Sequence, residues 1–315
     1  MEKNENKPPK KNAQNARFLL IMAICIVVWA IAFPFIKLAL TDLSYISLTI
    51  LRFSVVCTAS LVILATQSKK FSRLQKRDIL PIFLLGFFGV LVYHFGLNYG
   101  EQTVSPSIAS LLIATIPIFS VLFATMFLKE KITIAILTGI ALALTGVIII
   151  SLWGIQNTSF EVKYYYGIIT ILIAALMGSL YTIAGKKLLT RYSPLSLTIY
   201  AMLLGSLVLI PIALITPSFP SEILHMSLRS WFAVLFLGLC STVIGYVLWY
   251  VGLEMTSAAR VSGFLYGIPV LSTIISYLLF DDRLTILFFV GGFFVICGLS
   301  VINKKEKKNL NKVSE

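Results

Sequence analysis

The chain carries little charge for its length. Only 12% of its 315 residues are Asp, Glu, Lys or Arg and 58% are hydrophobic, whereas about a quarter of the residues in a soluble domain are charged. Apolar runs recur from Phe18 almost to the C-terminus. With about twenty residues each, they are long enough to cross a hydrocarbon core of about 30 Å. The composition therefore predicts an integral membrane protein and leaves no room for a soluble domain.

Residues that build metal centres and catalytic sites are scarce. The four cysteines lie inside apolar runs without a CxxC pair, and the chain has only two histidines, His94 and His225. Zinc sites and disulfide frameworks need clustered cysteines. No phosphate-binding Gly-rich loop and no Ser/His/Asp set can be assembled from the sequence. We therefore expect no metal or other cofactor, no enzyme activity and no direct drive by ATP.

The basic residues indicate membrane topology and not a nucleic-acid partner. The formal net charge is +13, but the lysines and arginines stand in short clusters between apolar runs, without stacking aromatics. With the N-terminus in the cytoplasm, 21 of the 26 basic residues fall on the cytoplasmic side, as the positive-inside rule requires. The pattern predicts a multi-pass protein of the cell membrane with both termini in the cytoplasm.

Charged residues, Pro, Gly and Asn divide the apolar sequence into ten candidate membrane-spanning helices. The first run contains Trp29 and Pro34 and lacks a small-x-small cleavage site, so we expect a retained helix and not a signal peptide. The candidate spans are residues 18–36, 44–66, 79–99, 107–128, 132–153, 164–185, 195–215, 231–251, 258–280 and 284–302.

The two halves of the chain repeat one another. Residues 37–50 align with residues 186–199 at an offset of 149, and eight of the fourteen positions are identical. At an offset of 152 the identical pairs include Gly86 and Gly238, Pro117 and Pro269, Gly139 and Gly291, and Gly146 and Gly298. Five spans per copy is an odd number, so the second copy enters the membrane from the opposite side. Such inverted repeats are common in secondary transporters, because two similar halves can open one central site to either side in turn.

We therefore expect an all-α polytopic membrane protein with ten transmembrane helices in two inverted five-helix repeats. The expected segments are a basic cytoplasmic tail (1–17), a first repeat (18–153), an outer connecting loop (154–163), a second repeat (164–302) and a basic cytoplasmic tail (303–315). The expected function is a secondary transporter that works by alternating access. A lipid-intermediate flippase and a non-transporting intramembrane enzyme or sensor stay open as alternatives.

Several motifs resemble a known family. They are Trp29-Ala-Ile-Ala-Phe-Pro-Phe-Ile-Lys37 in the first span, Leu51-Arg52-Phe53 in the second, Ile116-Pro117 in the fourth and Lys129-Glu130-Lys131 after it. Together with the paired copies they resemble the EamA branch of the drug/metabolite transporter superfamily over nearly the whole chain. The second copy departs from the pattern with Asp281-Asp282-Arg283. The resemblance implies a ten-helix carrier that exports small organic metabolites such as amino acids.

Polar residues of the third span are candidate substrate ligands, because ionisable groups inside a bilayer are costly. His94, Asn98 and Glu101 are spaced four and three apart, which places them on one helix face, with Tyr93 beside His94. We predict substrate binding by this face and consider His94 a candidate proton-coupling group. The alternative is that these residues only make polar contacts between helices.

The eighth span carries the matching face. At the offset of 152, His94 pairs with Tyr246 and Asn98 pairs with Tyr250, and Trp249 lies beside them. Trp29 of the first span is a further candidate, because it lies away from the membrane interface. We predict one central cavity between these spans; simple helix packing is the alternative for each residue.

Arg52 is a charged residue about a third of the way into the second span, and its copy in the repeat is Ala201. The charge is a candidate for attracting a substrate carboxylate or locking a gate, with Asp42 or Glu101 as partner. The alternative is an interfacial arginine that holds helix ends together. Lys37 and Lys186 end the first and sixth spans and are candidates for substrate contact or gating, with membrane-boundary anchoring as the alternative.

Pro117 and Pro269 occupy equivalent places within the fourth and ninth spans. Each removes a backbone donor and frees the carbonyl of the residue four positions earlier, Ile113 or Leu265. We predict kinks there, which serve as hinges or free carbonyls to line a cavity; static kinks that improve packing are the alternative. The expected partners of the whole protein are the lipid bilayer and a small-molecule metabolite, with protons as a candidate coupling ion; the sequence leaves the oligomeric state open.

Overall fold

The computed structural model describes residues 11–130, 132–153, 162–280 and 285–312. Within these ranges the chain is helical and contains no β-strand. The α-helices are α1 (Lys11–Ala39), α2 (Tyr45–Thr66), α3 (Ile79–Gly86), α4 (Tyr93–Glu101), α5 (Pro106–Ile113), α6 (Ile116–Leu128), α7 (Ile134–Trp153), α8 (Val162–Leu188), α9 (Pro194–Ser206), α10 (Leu209–Leu214), α11 (Phe219–Leu224), α12 (Leu228–Leu235), α13 (Gly245–Met255), α14 (Ala258–Gly263), α15 (Gly267–Phe280) and α16 (Ile286–Lys312).

Some expectations from the sequence fall outside these ranges. They concern residues 1–10 of the N-terminal tail, Lys131, residues 154–161 of the connecting loop, Asp281-Asp282-Arg283 and the last three residues, 313–315.

Seven helical stretches of the described chain are long and apolar enough to cross a membrane. They are Ala13–Ala39, Tyr45–Thr66, Lys76–Glu101, Pro106–Leu128, Tyr165–Leu188, Leu228–Met255 and Ala258–Leu279. Three shorter apolar helices are Ile134–Gly146, Pro194–Ser206 and Ile286–Gly298. Each of these segments overlaps one span expected from the sequence, and together they make this an all-helical polytopic membrane protein.

One expected span is not continuous. The sequence suggested a single helix over residues 195–215, but α9 ends at Ser206 and α10 begins at Leu209. Pro211 in α10 has no backbone N–H, so it cannot donate to the carbonyl of Leu207. The amide of Ile210 bonds that carbonyl instead, at 3.3 Å in a tighter turn.

The repeated sequence produces repeated helix starts. Ser44 and Ser193 are the N-cap residues of α2 and α9, and Ser105 and Ser257 are those of α5 and α14. Each serine side chain accepts a hydrogen bond from the backbone N–H three residues later. This cap satisfies a donor that the first helical turn leaves free. The offsets of 149 and 152 therefore relate equivalent helix caps as well as identical residues.

The first long helix of each half packs against helices of the other half. Helix α1 packs against α13 and α15, while α8 packs against α4 and α6. Helices α7 and α16 pack together where a Cβ atom on Gly146 would overlap the carbonyl oxygen of Gly291. The absence of side chains at such glycines lets helix backbones approach closely. The arrangement encloses a space between α1 and α8.

Candidate functional site

A cavity lies between helices of both halves. Its lining comes from α1, α2, the α3–α4 stretch, α5, α6, α8, the α12–α13 stretch and the α14–α15 stretch. Of the residues predicted to bind substrate, Trp29, Tyr93, His94, Tyr246 and Trp249 line it. The predicted charged residue Arg52 lines it as well. Many lining side chains are nearly excluded from solvent, so the cavity lies in the interior of the helix bundle.

Two π-helical segments position the cavity residues. They span Phe87–Val92 just before α4 and Phe236–Ile244 just before α13. The wider turn changes the direction in which the following side chains point, and such segments are frequent at functional sites. His94 and Tyr246 each follow their segment by two residues, so the two segments direct the paired side chains toward each other.

His94 and Tyr246 form a direct contact across the cavity. The Tyr246 hydroxyl and His94 Nε2 are 3.1 Å apart, and the two residues are 2% and 6% exposed. A neutral imidazole that accepts this bond at Nε2 carries its proton on Nδ1, which has no hydrogen-bond partner. The rings of Tyr93 and Phe53 pack against the imidazole edge-on. The histidine therefore keeps one unsatisfied nitrogen in the protein interior.

Two tryptophans form an aromatic wall with polar edges. The rings of Trp29 and Trp249 are 5.1 Å apart. Trp29 Nε1 donates to the carbonyl oxygen of Ser241 at 2.9 Å, and Trp249 Nε1 donates to Thr182 Oγ1 at 3.2 Å. Both indole N–H groups are thus satisfied by the protein, which leaves the ring faces for an apolar partner.

Close packing of large side chains on glycines brings this wall together. A Cβ atom on Gly245 would lie 2.6 Å from Trp29 Nε1, and one on Gly178 would lie 3.2 Å from the Tyr93 ring. Trp29 and Gly178 are paired by the offset of 149, and Tyr93 and Gly245 by the offset of 152. The two contacts are therefore equivalent in the repeat, but the aromatic residue and the glycine have changed places between them.

Tyr181 and Thr182 of α8 line the cavity, although the sequence interpretation did not select them. The Tyr181 ring lies 5.2 Å from that of Tyr246 and stacks on that of Tyr250 at 5.0 Å. Both are polar residues in the middle of an apolar run. The same feature made His94 and Asn98 candidate residues, and it could have indicated Tyr181 and Thr182 as well. Tyr250 is fully buried behind Tyr181 and does not line the cavity.

Asn98 also lies behind the cavity. Its Nδ2 donates to Thr49 Oγ1 at 3.0 Å, and its residue surface is fully buried. Its Oδ1 has no partner. In this arrangement Asn98 links α4 to α2, while His94, one turn earlier, faces the cavity.

Arg52 reaches the cavity from α2 and is 1% exposed. Its Nε donates to Thr242 Oγ1 at 2.9 Å and its Nη2 donates to Ser241 Oγ at 3.3 Å. Neither acidic partner suggested by the sequence forms an ion pair with it in the described chain. Asp42 accepts from the backbone N–H of Ser227 instead, and the Glu101 carboxylate has no hydrogen-bond partner. The arginine contacts the second π-helical segment from within the bundle and is not an interfacial charge.

The two span-ending lysines bind helix carbonyls. Lys37 Nζ donates to the carbonyl oxygen of Glu101 at 3.0 Å, and Lys186 Nζ donates to that of Leu253 at 3.2 Å. Glu101 and Leu253 are paired by the offset of 152, so the two contacts are equivalent. Neither lysine lines the cavity, and neither does Glu101, whose buried carboxylate has no hydrogen-bond partner.

Helix breaks accompany the paired prolines. Helix α5 ends at Ile113 and α6 begins at Ile116, and a 3₁₀ turn over Phe264–Tyr266 separates α14 from α15. Pro117 and Pro269 themselves do not line the cavity. Ile113 and Leu265, the residues four positions before them, do. The breaks therefore lie at the cavity wall.

The sequence matches those of membrane transporters. Residues 17–152 and residues 165–304 each match the model described as the EamA-like transporter family. An "Uncharacterized transporter" of Archaeoglobus fulgidus is 35% identical over 91% of this chain and 98% of its own length. A "Probable terminal-alkyne amino-acid exporter" of Streptantibioticus cattleyicolor is 31% identical over 90% of this chain and 92% of its own length.

A solved structure shares the fold. A crystal structure of another protein superposes with a TM-score of 0.73, covering 93% of this chain and 98% of that chain, at 19% sequence identity. At this identity the likeness concerns the arrangement of the helices and not the ligand.

Proposed function

Because the chain belongs to the EamA-like transporter family, within the drug/metabolite transporter superfamily, we propose that it is a secondary transporter that exports a small organic metabolite of the amino-acid type. The observation that carries the proposal is the interior cavity lined by both halves, with His94 of one half in contact with Tyr246 of the other. The relative named as an amino-acid exporter supports the substrate class.

The proposed mechanism is alternating access between two inverted five-helix repeats that cross the membrane ten times. Two separate matches to one family model support the duplication. The packing of α1 and α8 against the opposite half supports a rearrangement in which both halves move around one cavity. The breaks before Pro117 and Pro269 are the proposed hinges, because the helices are already interrupted there.

The proposed location is the cell membrane with both termini in the cytoplasm. The support is the excess of basic residues on one side of the proposed spans. Reporter fusions at each terminus test it: activity of a cytoplasmic reporter at both ends is expected, and opposite sides for the two ends would rule out an even number of crossings.

The transport proposal is tested in liposomes that contain only this protein. We expect export of a subset of solutes from a loaded mixture of amino acids and related metabolites. Silence across such mixtures, together with chemical modification of a lipid or headgroup, would favour an intramembrane enzyme. Movement of lipid alone would favour a flippase.

The role of the cavity is tested with the two histidines of the chain. His94→Ala removes the contact with Tyr246, and we expect a loss of export of about tenfold or more, since a buried polar partner is left unsatisfied. His225→Ala is the matched control, because His225 is exposed and follows α11. Equal rates for both variants, at equal folded yield, would remove His94 from the site.

Proton coupling is a separate part of the proposal. His94 is the proposed group, and it faces Tyr93 on its own helix, Phe53 and Arg52 on α2 and Tyr246 on α13. A pH gradient imposed across the liposomes is expected to change the export rate of the wild type but not of His94→Gln. Export that ignores the gradient would indicate a facilitator.

A further inference from the structure

Arg52 is a buried cation that forms no ion pair with the described residues. The residue is 1% exposed, and its Nη1 has no hydrogen-bond partner. Within the described chain the recorded salt bridges join Lys186 to Glu130 and Arg191 to Asp78, and none includes Arg52. A charge taken out of water costs several kcal/mol unless an opposite charge compensates it. We therefore expect a buried charge that forms no ion pair within the described residues to have a functional role.

The guanidinium is held in a fixed orientation. Thr242 accepts from Nε and Ser241 accepts from Nη2, both on the second π-helical segment. The Thr242 hydroxyl in turn donates to the carbonyl oxygen of Leu237 at 2.7 Å, which leaves its lone pair directed at the arginine. Two of the three guanidinium nitrogens are thereby fixed by neutral groups. The third, Nη1, stays free on a residue that lines the cavity.

Glu101 is the alternative internal partner and does not take this place. It is fully buried and neither carboxylate oxygen has a hydrogen-bond partner. It does not line the cavity. Its carboxylate therefore makes no hydrogen bond to Arg52, and Nη1 keeps an unsatisfied hydrogen-bonding position.

Most of the rest of the cavity wall is apolar or aromatic, apart from His94, Thr182 and Ser241. Phe33, Ile116 and Leu265 supply aliphatic and aromatic surface, and the ring faces of Trp29 and Trp249 lie beside them. An apolar wall with a small number of fixed polar groups is the usual form of a small-molecule site. A ligand that fits both parts has one anionic group and one apolar group.

We propose that Arg52 binds the carboxylate of the substrate through Nη1, and that the substrates are small carboxylates with an apolar side group. The inference rests on the proposed transport function and specifies its substrate class. A guanidinium donor to a carboxylate makes a charge-assisted hydrogen bond, which is stronger than a bond to a neutral amide. Ser241 and Thr242 are the positioning residues. Ser241 and Thr242 belong to the second half of the chain, and the charged Arg52 belongs to the first half.

The experiment compares substrates that differ only at the carboxylate. Liposomes with the purified protein are loaded with L-leucine, L-leucinamide, L-phenylalanine and L-phenylalaninamide together with a small-metabolite extract, and export is measured by mass spectrometry against protein-free liposomes. At least one carboxylate is expected to leave about tenfold or more faster than its amide, the ratio that one charge-assisted bond supports. Equal rates for acid and amide in both pairs would overturn the inference.

Variants assign the preference to Arg52. Arg52→Gln is expected to bring the ratio of acid to amide export to about one, while Arg52→Lys keeps part of it because the charge stays. Arg260→Gln is the matched control: Arg260 is also buried, at 4% exposed, but it packs on Phe18 and bonds Asn15 outside the cavity. Its ratio is expected to match the wild type even where its folded yield falls.

Glu101→Gln separates the two roles of the arginine. If Arg52 serves the substrate, the acid preference survives in Glu101→Gln. If the preference is lost there as fully as in Arg52→Gln, Arg52 acts through Glu101 and the inference fails.

The metabolite extract separates this inference from the transport function. Export confined to amines, amides or uncharged solutes would overturn the carboxylate site and leave a transporter. No export of any solute would contradict the transport proposal itself.

Discussion

Three buried ionisable residues of the first half have uncharged partners in the second half, whereas the serine caps and the close-contact glycines are the same in both. The paired cavity and near-cavity positions are Arg52 and Ala201, His94 and Tyr246, and Glu101 and Leu253. The repeated structural positions are the serine caps of α2 and α9, those of α5 and α14, and the glycines of α7 and α16.

The difference follows from what each kind of residue must do. A helix cap or a close glycine contact serves only its own helix, so both copies need one. A charge that faces a shared cavity serves both copies at once, and a second charge would add a desolvation cost of several kcal/mol. The chemistry is therefore concentrated in one half, and the scaffold is duplicated.

The largest loss of stability is expected where two helix backbones are in direct contact. Gly86 of α3 and its partner Gly238 sit at equivalent contacts, but a Cβ atom on Gly86 would overlap the carbonyl oxygen of Ala201, whereas one on Gly238 would lie 2.8 Å from Val55 Cγ1. A backbone atom cannot turn away, so we expect Gly86→Ala to cost up to about 3 kcal/mol. Gly238→Ala is expected to cost less, because a side chain can shift and alanine favours the helix by about 1 kcal/mol.

The measurement is the melting temperature and the folded yield of the purified variants. Gly292→Ala is the control, because an added Cβ there would meet Val270 Cγ1 only at 4.0 Å. A melting temperature of Gly86→Ala equal to that of Gly292→Ala would show that α3 and α9 do not approach as closely as the structure indicates.

The lysine contacts are equivalent but not equally strong. Lys186 donates to the carbonyl of Thr256 as well as that of Leu253 and forms a salt bridge of 3.6 Å with Glu130, whereas Lys37 bonds the carbonyl of Glu101. Lys186→Met should therefore destabilise the protein by about 2 kcal/mol and Lys37→Met by about 1 kcal/mol, since each leaves carbonyls unsatisfied.

Thermal unfolding in detergent measures these losses of stability, which are compared with the loss caused by removing an ordinary surface charge. Lys187→Met, at the exposed neighbour of Lys186, provides that reference. If Lys186→Met and Lys187→Met unfold at the same temperature, the second half does not depend on its lysine contact.

Much of the scaffold was predictable from the sequence, because helix caps, glycines and prolines act locally. The spacing of His94 and its offset to Tyr246 also predicted that both residues face one cavity. The π-helical segments and the contacts of Arg52 with Ser241 and Thr242 were not predictable. They depend on which helices pack together and on their relative positions along the helix axes. A single sequence does not show these tertiary contacts as a local pattern.

The contacts of Asp42 and its repeat partner Arg191 are expected to show the smallest effect. Each residue contacts the start of an equivalent helix in the other half, but the two carry opposite charges. The Asp42 carboxylate accepts from the backbone N–H of Ser227, the N-cap of α12, while Arg191 donates to the carboxylate of Asp78 before α3. Hydrogen bonds from Ser227 and Ser230 lower the pKa of Asp42 to about 2, from an ordinary value of about 3.9.

A lowered pKa in the folded state stabilises the protein where the carboxylate is ionised in both states, above about pH 4, and this contribution disappears as the pH falls through about 2. Because Asp42 is close to solvent, screening limits the effect to about 0.5 to 1 kcal/mol. The melting temperature of the wild type should exceed that of Asp42→Asn at pH 6 and converge with it toward pH 2.5. A gap that stays constant over this range would mean that the contact depends on the shape of the side chain and not on its charge, and the opposite charges of the two contacts would then carry no separate role.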